Sequence, residues 1–172
     1  MAGLRPGRCY HKLDKKPYTR IAIRVPKKSY AKGVPVTKIH QFEIGKKGDY
    51  PVQYHLVSGK ATAMRSNCLE AARVMATKHL EGNLGPEGFF LKIRTIPLHV
   101  MRENAMATGA GADRFSSGMR QSFGRPIGLA ARVGEKQIIM TAYVPAGKEA
   151  IAKEAIHRAR AKLPGQCRVV MG

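Results

Sequence analysis

Arg102, Arg114, Arg120 and Arg125 are strung along residues 102–126, a stretch without a single lysine. Arginine can fork onto a phosphate with two parallel N–H donors and can also lie flat on a base, and lysine is not its equivalent at such sites. The residues between these arginines are of the opposite kind. In 106–118 the only charges are Asp113 and Arg114, and the rest are Ala, Gly, Ser, Thr, Met and one Phe, with glycines at 109, 111 and 118. Such a segment has too few large apolar side chains for a core and no steady helical or strand period, and its glycines let backbone approach backbone closely. Long loops without structure of their own tend to be functional or disordered. The pattern suits a small-residue finger reaching into a crowded, negatively charged place, best matched by folded RNA. A plain surface loop is the alternative reading.

Other side chains able to do chemistry do not form a constellation. The run Gly109-x-Gly111-x-x-Arg114 begins like a dinucleotide fingerprint, but arginine replaces its third glycine and no strand–helix–strand unit surrounds it. No GxxxxGKS/T, HExxH or GxSxG motif occurs. The histidines at 11, 40, 55, 79, 99 and 157 stand singly, and 11 acids against 31 Lys and Arg leave little material for paired-carboxylate catalysis. Cysteines 9, 68 and 167 form no CxxC pair, and Cys9 with His11 is too small a set for a metal. No catalytic, cofactor or metal site is expected, and the unpaired thiols fit a reduced, intracellular compartment.

The formal charge of +20 bears on the partner. A free protein repels itself at such an excess, so a polyanion is its natural neighbour. A membrane surface is one polyanion, but no apolar run approaches the roughly 20 residues of a transmembrane helix, and the amino terminus has no secretory-signal pattern. DNA readers usually carry a recognition helix or a zinc module. Cations scattered over arm, strands and loop suit structured RNA instead, which is read by shape, phosphates and 2′-hydroxyls. RNA is therefore the expected partner, with no membrane and no DNA.

Two regions must position these cations. Residues 1–35 read as an extended basic arm: 1–32 hold ten Lys or Arg against one acid, Asp14, with prolines at 6, 17 and 26 interrupting any helix. Arg5, Arg8, Lys12, Lys15, Lys16, Arg20, Arg24, Lys27 and Lys28 are expected to neutralise phosphates. Tyr10 and Tyr18 are candidates for stacking on bases, with packing on the domain as the alternative. The alternation Arg20-Ile21-Ala22-Ile23-Arg24-Val25 predicts a strand edge that docks the arm, against the reading of a solvated tail.

Residues 36–172 read as a single α+β domain with the loop 102–126 inserted. Strands are predicted at 36–44 and 52–58, joined by the turn-rich Gly45-Lys46-Lys47-Gly48-Asp49. A helix starts at Ser66 or Asn67, where Asn67 and Glu70 have capping-box spacing, and Gly82 stops it; Leu69, Ala72, Ala76 and Leu80 form its apolar stripe. Strands at 89–96 and 98–104 follow, and 127–133 with 137–144 read as a hairpin about Gly134-Glu135-Lys136. A second helix at 148–163 buries Ala152, Ile156, Ala159 and Leu163, while Glu149–Lys153 and Glu154–Arg158 spacing makes its other face a solvated one. Residues 167–171 return as an edge strand. Runs of strands separated by single helices predict a two-layer sandwich, a mostly antiparallel sheet with two helices on one face.

Several short motifs then combine: Arg5-Pro6-x-Arg8-Cys9-Tyr10, Lys16-Pro17-Tyr18, Leu69-Glu70-Ala71-Ala72-Arg73, His99-Val100-Met101-Arg102, and Gly111-Ala112-Asp113-Arg114 followed by Gly118-Met119-Arg120-x-x-Phe123-Gly124-x-Pro126. With them the chain resembles, over nearly its whole length, the large-ribosomal-subunit proteins called "ten-e" in archaea and eukaryotes, counterparts of bacterial large-subunit protein sixteen. The resemblance implies an α/β-hammerhead type of fold and a non-catalytic protein of the cytoplasmic ribosome. It implies binding to large-subunit ribosomal RNA close to the aminoacyl-tRNA site, with tRNA and neighbouring ribosomal proteins as further partners. The arm would thread between RNA helices. The loop would point towards the peptidyl-transferase centre, with Arg102, Asn104, Arg114, Arg120 and Arg125 holding it against RNA or supporting tRNA. A structural protein whose loop only fills space is the other possibility. The chain stops at Gly172 without the further basic tail of eukaryotic members, which makes the archaeal type the expected one.

Overall fold

In the segment Val52–Ser58 apolar and polar residues alternate, and the resulting strand, β2, turns Val52, Tyr54, Leu56 and Ser58 inward. The structure, a computed structural model, describes residues 4–10, 13, 22, 24–29, 31–107, 109–114, 116 and 118–172. β2 lies between β7 (Ile138–Val144) and β8 (Cys167–Met171). With β1 (Glu43–Gly45) and β4 (Phe90–Ile93) they make a five-stranded antiparallel sheet of order β1-β4-β7-β2-β8. A second antiparallel sheet has the order β3-β6-β5, built from β3 (Thr62–Arg65), β6 (Arg125–Val133) and β5 (His99–Glu103).

Two helices, α1 (Ser66–Leu84) and α2 (Glu149–Arg160), pack on each other; α2 also covers β2, β7 and β8, and α1 meets β3 and β6. The predicted stripes are the buried ones. Leu69, Ala72, Ala76 and Leu80 of α1 join Ala152, Ile156 and Ala159 of α2, Leu163 just beyond it, and Leu56, Leu91, Met140 and Val144 of the large sheet. Each fully buried Leu or Ile contributes about 1.5–3 kcal/mol, so this one shared core fixes how the layers lie. The architecture is α+β with antiparallel pairing, as expected, but its strands divide between two sheets.

Several local expectations differ from what is found. Residues 127–133 and 137–144 do not form a hairpin: β6 and β7 follow one another in the chain but belong to different sheets. The Gly134-Glu135-Lys136 turn is a crossing point, pinned by Lys136 N–H to the Ser58 carbonyl (2.8 Å) and by Gly134 N–H to Gln137 Oε1 (2.7 Å). Likewise β1 pairs with β4 rather than β2, and of the predicted 36–44 only Glu43 and Ile44 are strand, which continues into Gly45. Thr62–Arg65 is a strand the pattern did not announce. Helix α1 runs past Gly82 and is closed by Gly85, whose φ of 75° is the left-handed stop. Its amino end has no side-chain cap; Glu70 is taken instead by the Arg73 guanidinium and the His40 N–H. Of the predicted arm strand at 20–25, residues 20, 21 and 23 lie outside the described residues. Arg24 and Val25 are not in a strand and lead into a 3-10 turn, Pro26–Lys28, closed by Ala22 N–H to Ser29 Oγ (2.9 Å).

Candidate nucleic-acid interface

Pairing in the three-stranded sheet separates two faces. Met64, Val100, Ala131 and Val133 point into the core. Ala63 pairs with Arg132, Arg65 with Ala130, and Ala130 with His99, so these five share the other face. It is a strip of alanines edged by cations, low enough for another chain to lie along it. The arm does so. Arg65 Nη2 donates to the Arg5 carbonyl and Arg132 Nη2 donates to the Leu13 carbonyl (2.7 Å). The Arg65 guanidinium also lies 5.1 Å from the centroid of the Tyr10 ring, a contact of about 0.5–2 kcal/mol.

The inserted loop leaves this same sheet. Across the β5–β6 pairing Met101 faces Gly128 and Arg102 faces Pro126, so Ile127 is the extra residue of a bulge. Bulges re-aim side chains, and here Arg102 comes to lie with its guanidinium 4.2 Å from the centroid of the Phe123 ring. Gly124 holds Phe123 there by close approach: a Cβ on it would stand 2.8 Å from Glu103 N. Further out, the loop closes on itself with a 3-10 turn at Ala112–Arg114, with Ala107 N–H to Ser116 Oγ (3.4 Å) and Asn104 Nδ2 to the Gly118 carbonyl (3.5 Å).

Arm, sheet and loop root enclose a groove of about 660 Å³. Arg5, Tyr10, Arg102 and Asn104, four of the residues singled out by sequence, line it together. Arg8 lies at a second groove beyond Tyr10. Arg24, Lys27 and Lys28 are exposed around the arm's 3-10 turn, and Arg114, Arg120 and Arg125 are exposed on the loop and at its return; none of these lines the groove. Lys12, Lys15, Lys16, Tyr18 and Arg20 lie outside the described residues. The groove residues His99, Phe123 and Arg132 escaped the sequence reading of the site, and so did the latch Arg65, which borders the second groove. A signal existed for Arg132, since the face of β6 opposite Leu129, Ala131 and Val133 reads Gly128, Ala130, Arg132, too small and too charged for either core or plain solvent.

Charge at the groove is left over after internal pairing. The ion pairs among the described residues are Lys46–Glu87, Lys47–Glu43, Lys92–Glu43, Arg73–Glu70 and Arg158–Glu154, all away from it. Glu149 and Lys153 form no such pair. Burial, reinforced by the field of Glu103, pushes the Tyr10 hydroxyl up, so it stays a donor. Tyr10 Oη and Arg65 Nε are both buried with no hydrogen-bond partner among the described residues. Burial, then the Arg132 charge, hold His99 below its ordinary value, which leaves a neutral ring able to donate and accept. Among the described residues no three His, Cys, Asp or Glu gather in a way that could hold a metal, and no helix is long and apolar enough to cross a membrane.

Donors and rings thus stand around a concave basic surface. Comparison with known proteins gives the family. Residues 15–170 match the family described as ribosomal protein L16p/L10e. The chain is 49% identical over 168 residues to "Large ribosomal subunit protein uL16" of Staphylothermus marinus, covering 97% of this chain and 92% of that one. It is 42% identical to the protein of the same name from Methanococcus aeolicus, over 98% and 94% of the two chains. It is also 42% identical to "Large ribosomal subunit protein uL16A" of Schizosaccharomyces pombe, over 97% of this chain and 74% of that one. A family match over residues 15–170, with large-ribosomal-subunit relatives at 42–49% identity over at least 97% of the chain, leaves one assignment: the chain belongs to the ribosomal protein L16p/L10e family.

Proposed function

We infer that this structural constituent of the large ribosomal subunit grips ribosomal RNA with its arm (1–35) and the root of loop 102–126, and reaches with that loop towards the peptidyl-transferase centre to support aminoacyl-tRNA. The observation that carries the reading is the convergence of Arg5, Tyr10, Arg102 and Asn104 on one groove that holds no ion pair among the described residues. Cations without internal acids are suited to meet phosphates from outside, and each phosphate so neutralised adds about 0.7–0.9 to the salt slope of binding. The exposed arginines 114, 120 and 125 and the small residues between them suit a loop that enters a narrow, anionic space.

Replacing residues 106–118 by a short Gly-Ser linker tests the loop. The expected result is large subunits that still take up the protein but bind aminoacyl-tRNA poorly. Normal tRNA binding by assembled particles would refute the loop's role and leave a purely structural protein with a space-filling loop. Binding to total RNA should weaken steeply between low and moderate salt and exceed binding to double-stranded DNA.

A further inference from the structure

The groove beneath the arm is more than a basic patch. Its volume of about 660 Å³ lies within the roughly 300–1,000 Å³ usual for small-ligand sites, ample for a single nucleotide. Three kinds of group border it. Arg5, Arg102 and Arg132 are cations, and no carboxylate is among its described lining residues. Arg132 gives one donor to the Leu13 carbonyl, out of the five a guanidinium carries. His99, Asn104 and Ser122 are hydrogen-bonding side chains of mixed donor and acceptor character. Phe123 supplies a flat apolar surface, 60% exposed although large, and is held by the close approach at Gly124 and by the Arg102 guanidinium on its ring.

Ion binding alone uses only the first of these. A paired RNA helix presents phosphates and 2′-hydroxyls on a convex surface, and its bases cannot reach a recess behind the arm. An acidic peptide would satisfy the arginines and leave the ring unused. An unpaired nucleotide uses all three, because single-stranded RNA is recognised by stacking a splayed base on an aromatic or guanidinium plane and reading its edge with hydrogen bonds.

We propose that the groove receives one extruded, unpaired nucleotide of large-subunit ribosomal RNA: its base stacks on Phe123, its edge meets Asn104, Ser122 and His99, and Arg5 and Arg132 take the adjoining phosphates. This rests on the RNA-binding reading above and specifies the ligand of that surface.

The test uses large subunits assembled with the full-length protein and irradiated at 254 nm, with crosslinks mapped to residue and nucleotide and base reactivity followed by dimethyl sulfate. The expected result is a crosslink from Phe123 to a single unpaired nucleotide, present without tRNA. Phe123→Ala, a change at an exposed position, should abolish it and unmask that nucleotide while its neighbours stay protected. Affinity for large-subunit RNA should fall about 5- to 150-fold, the span for loss of one stacked base. Phe123→Tyr should keep both crosslink and affinity. Crosslinks only to paired RNA, only after tRNA is added, or to a neighbouring protein would overturn the nucleotide site while the RNA-binding reading stands. Failure of the unaltered protein to bind large-subunit RNA at any salt concentration would overturn both.

Discussion

Lys47 and Lys92, on the open side of the five-stranded sheet, reach the two oxygens of one carboxylate, Glu43, at 2.6 and 2.8 Å, whereas Arg5, Arg102 and Arg132 beside the three-stranded sheet form no ion pair with an acid among the described residues. Hydrogen bonds from Lys47 and Lys92 hold the Glu43 carboxyl down at about 2. Nearby, Arg94 gives Nε to Thr141 Oγ1 and Nη2 to Tyr143 Oη, each at 2.9 Å. Those cations are finished within the molecule. The arginines of the small sheet are instead directed at backbone carbonyls, a ring or the groove, so they keep donors for an outside anion. Net charge named the class of partner, and the pattern of internal pairing among the described residues is what favours the small-sheet side as the proposed binding surface.

If the large sheet holds the fold and the small one holds the partner, the two should respond differently to truncation. Leu56 is fully buried beneath the helices, so Leu56→Ala should lower stability by about 2–5 kcal/mol in urea unfolding. Phe123→Ala, at an exposed ring that loses its contact with Arg102, should cost only about 0.5–1 kcal/mol. Equal losses would erase the distinction.

Charge removal sharpens the same contrast. Replacing Arg5, Arg102 and Arg132 together by Gln should reduce the salt slope of RNA binding by about 0.7–0.9 for each phosphate no longer neutralised. Replacing Lys46, Lys47 and Lys92 together should leave that slope nearly unchanged, since their partners are Glu87 and Glu43. A smaller effect is expected at Gly124→Ala, where the new Cβ meets the β5 backbone: a loss of about 1–3 kcal/mol as Phe123 and its strand shift. Unchanged thermal stability would show that the loop root yields freely.

The smallest effect is in pH. His55 on the large sheet and His99 in the groove are both held below the ordinary 6.5, chiefly by burial, with Arg94 and Arg132 adding to it. The unfolded chain therefore takes up these protons at a higher pH than the folded one. Stability is full above about 6.5 and declines as the pH falls below it; His55→Gln and His99→Gln should each flatten that decline in chemical-denaturation curves. Bound RNA should raise His99 and leave His55 unmoved in an NMR titration. Parallel shifts of the two rings would contradict a groove-specific site.

Much of this was legible in the residues. The stripes Leu69, Ala72, Ala76, Leu80 and Ala152, Ile156, Ala159, Leu163 announced both helices and their buried faces, because period and burial are local properties of a chain. The +20 charge and the lysine-free loop announced an anionic partner. Less legible were the ends and the pairings. Asn67 and Glu70 had capping spacing, yet Glu70 found stronger company in Arg73, at 2.5 Å on the same helix.

What lay wholly within the sequence, then, was which residues face inward, which elements they build and what sign of partner they require. Only the tertiary structure decided that β6 and β7, adjacent in the chain, enter different sheets, since a two-residue period states which side chains share a face and not which strand lies beside them. It alone brought Arg5, His99, Phe123 and Arg132 to one groove. Their meeting depends on the arm folding back across the alanine strip, a long-range arrangement that no local spacing encodes.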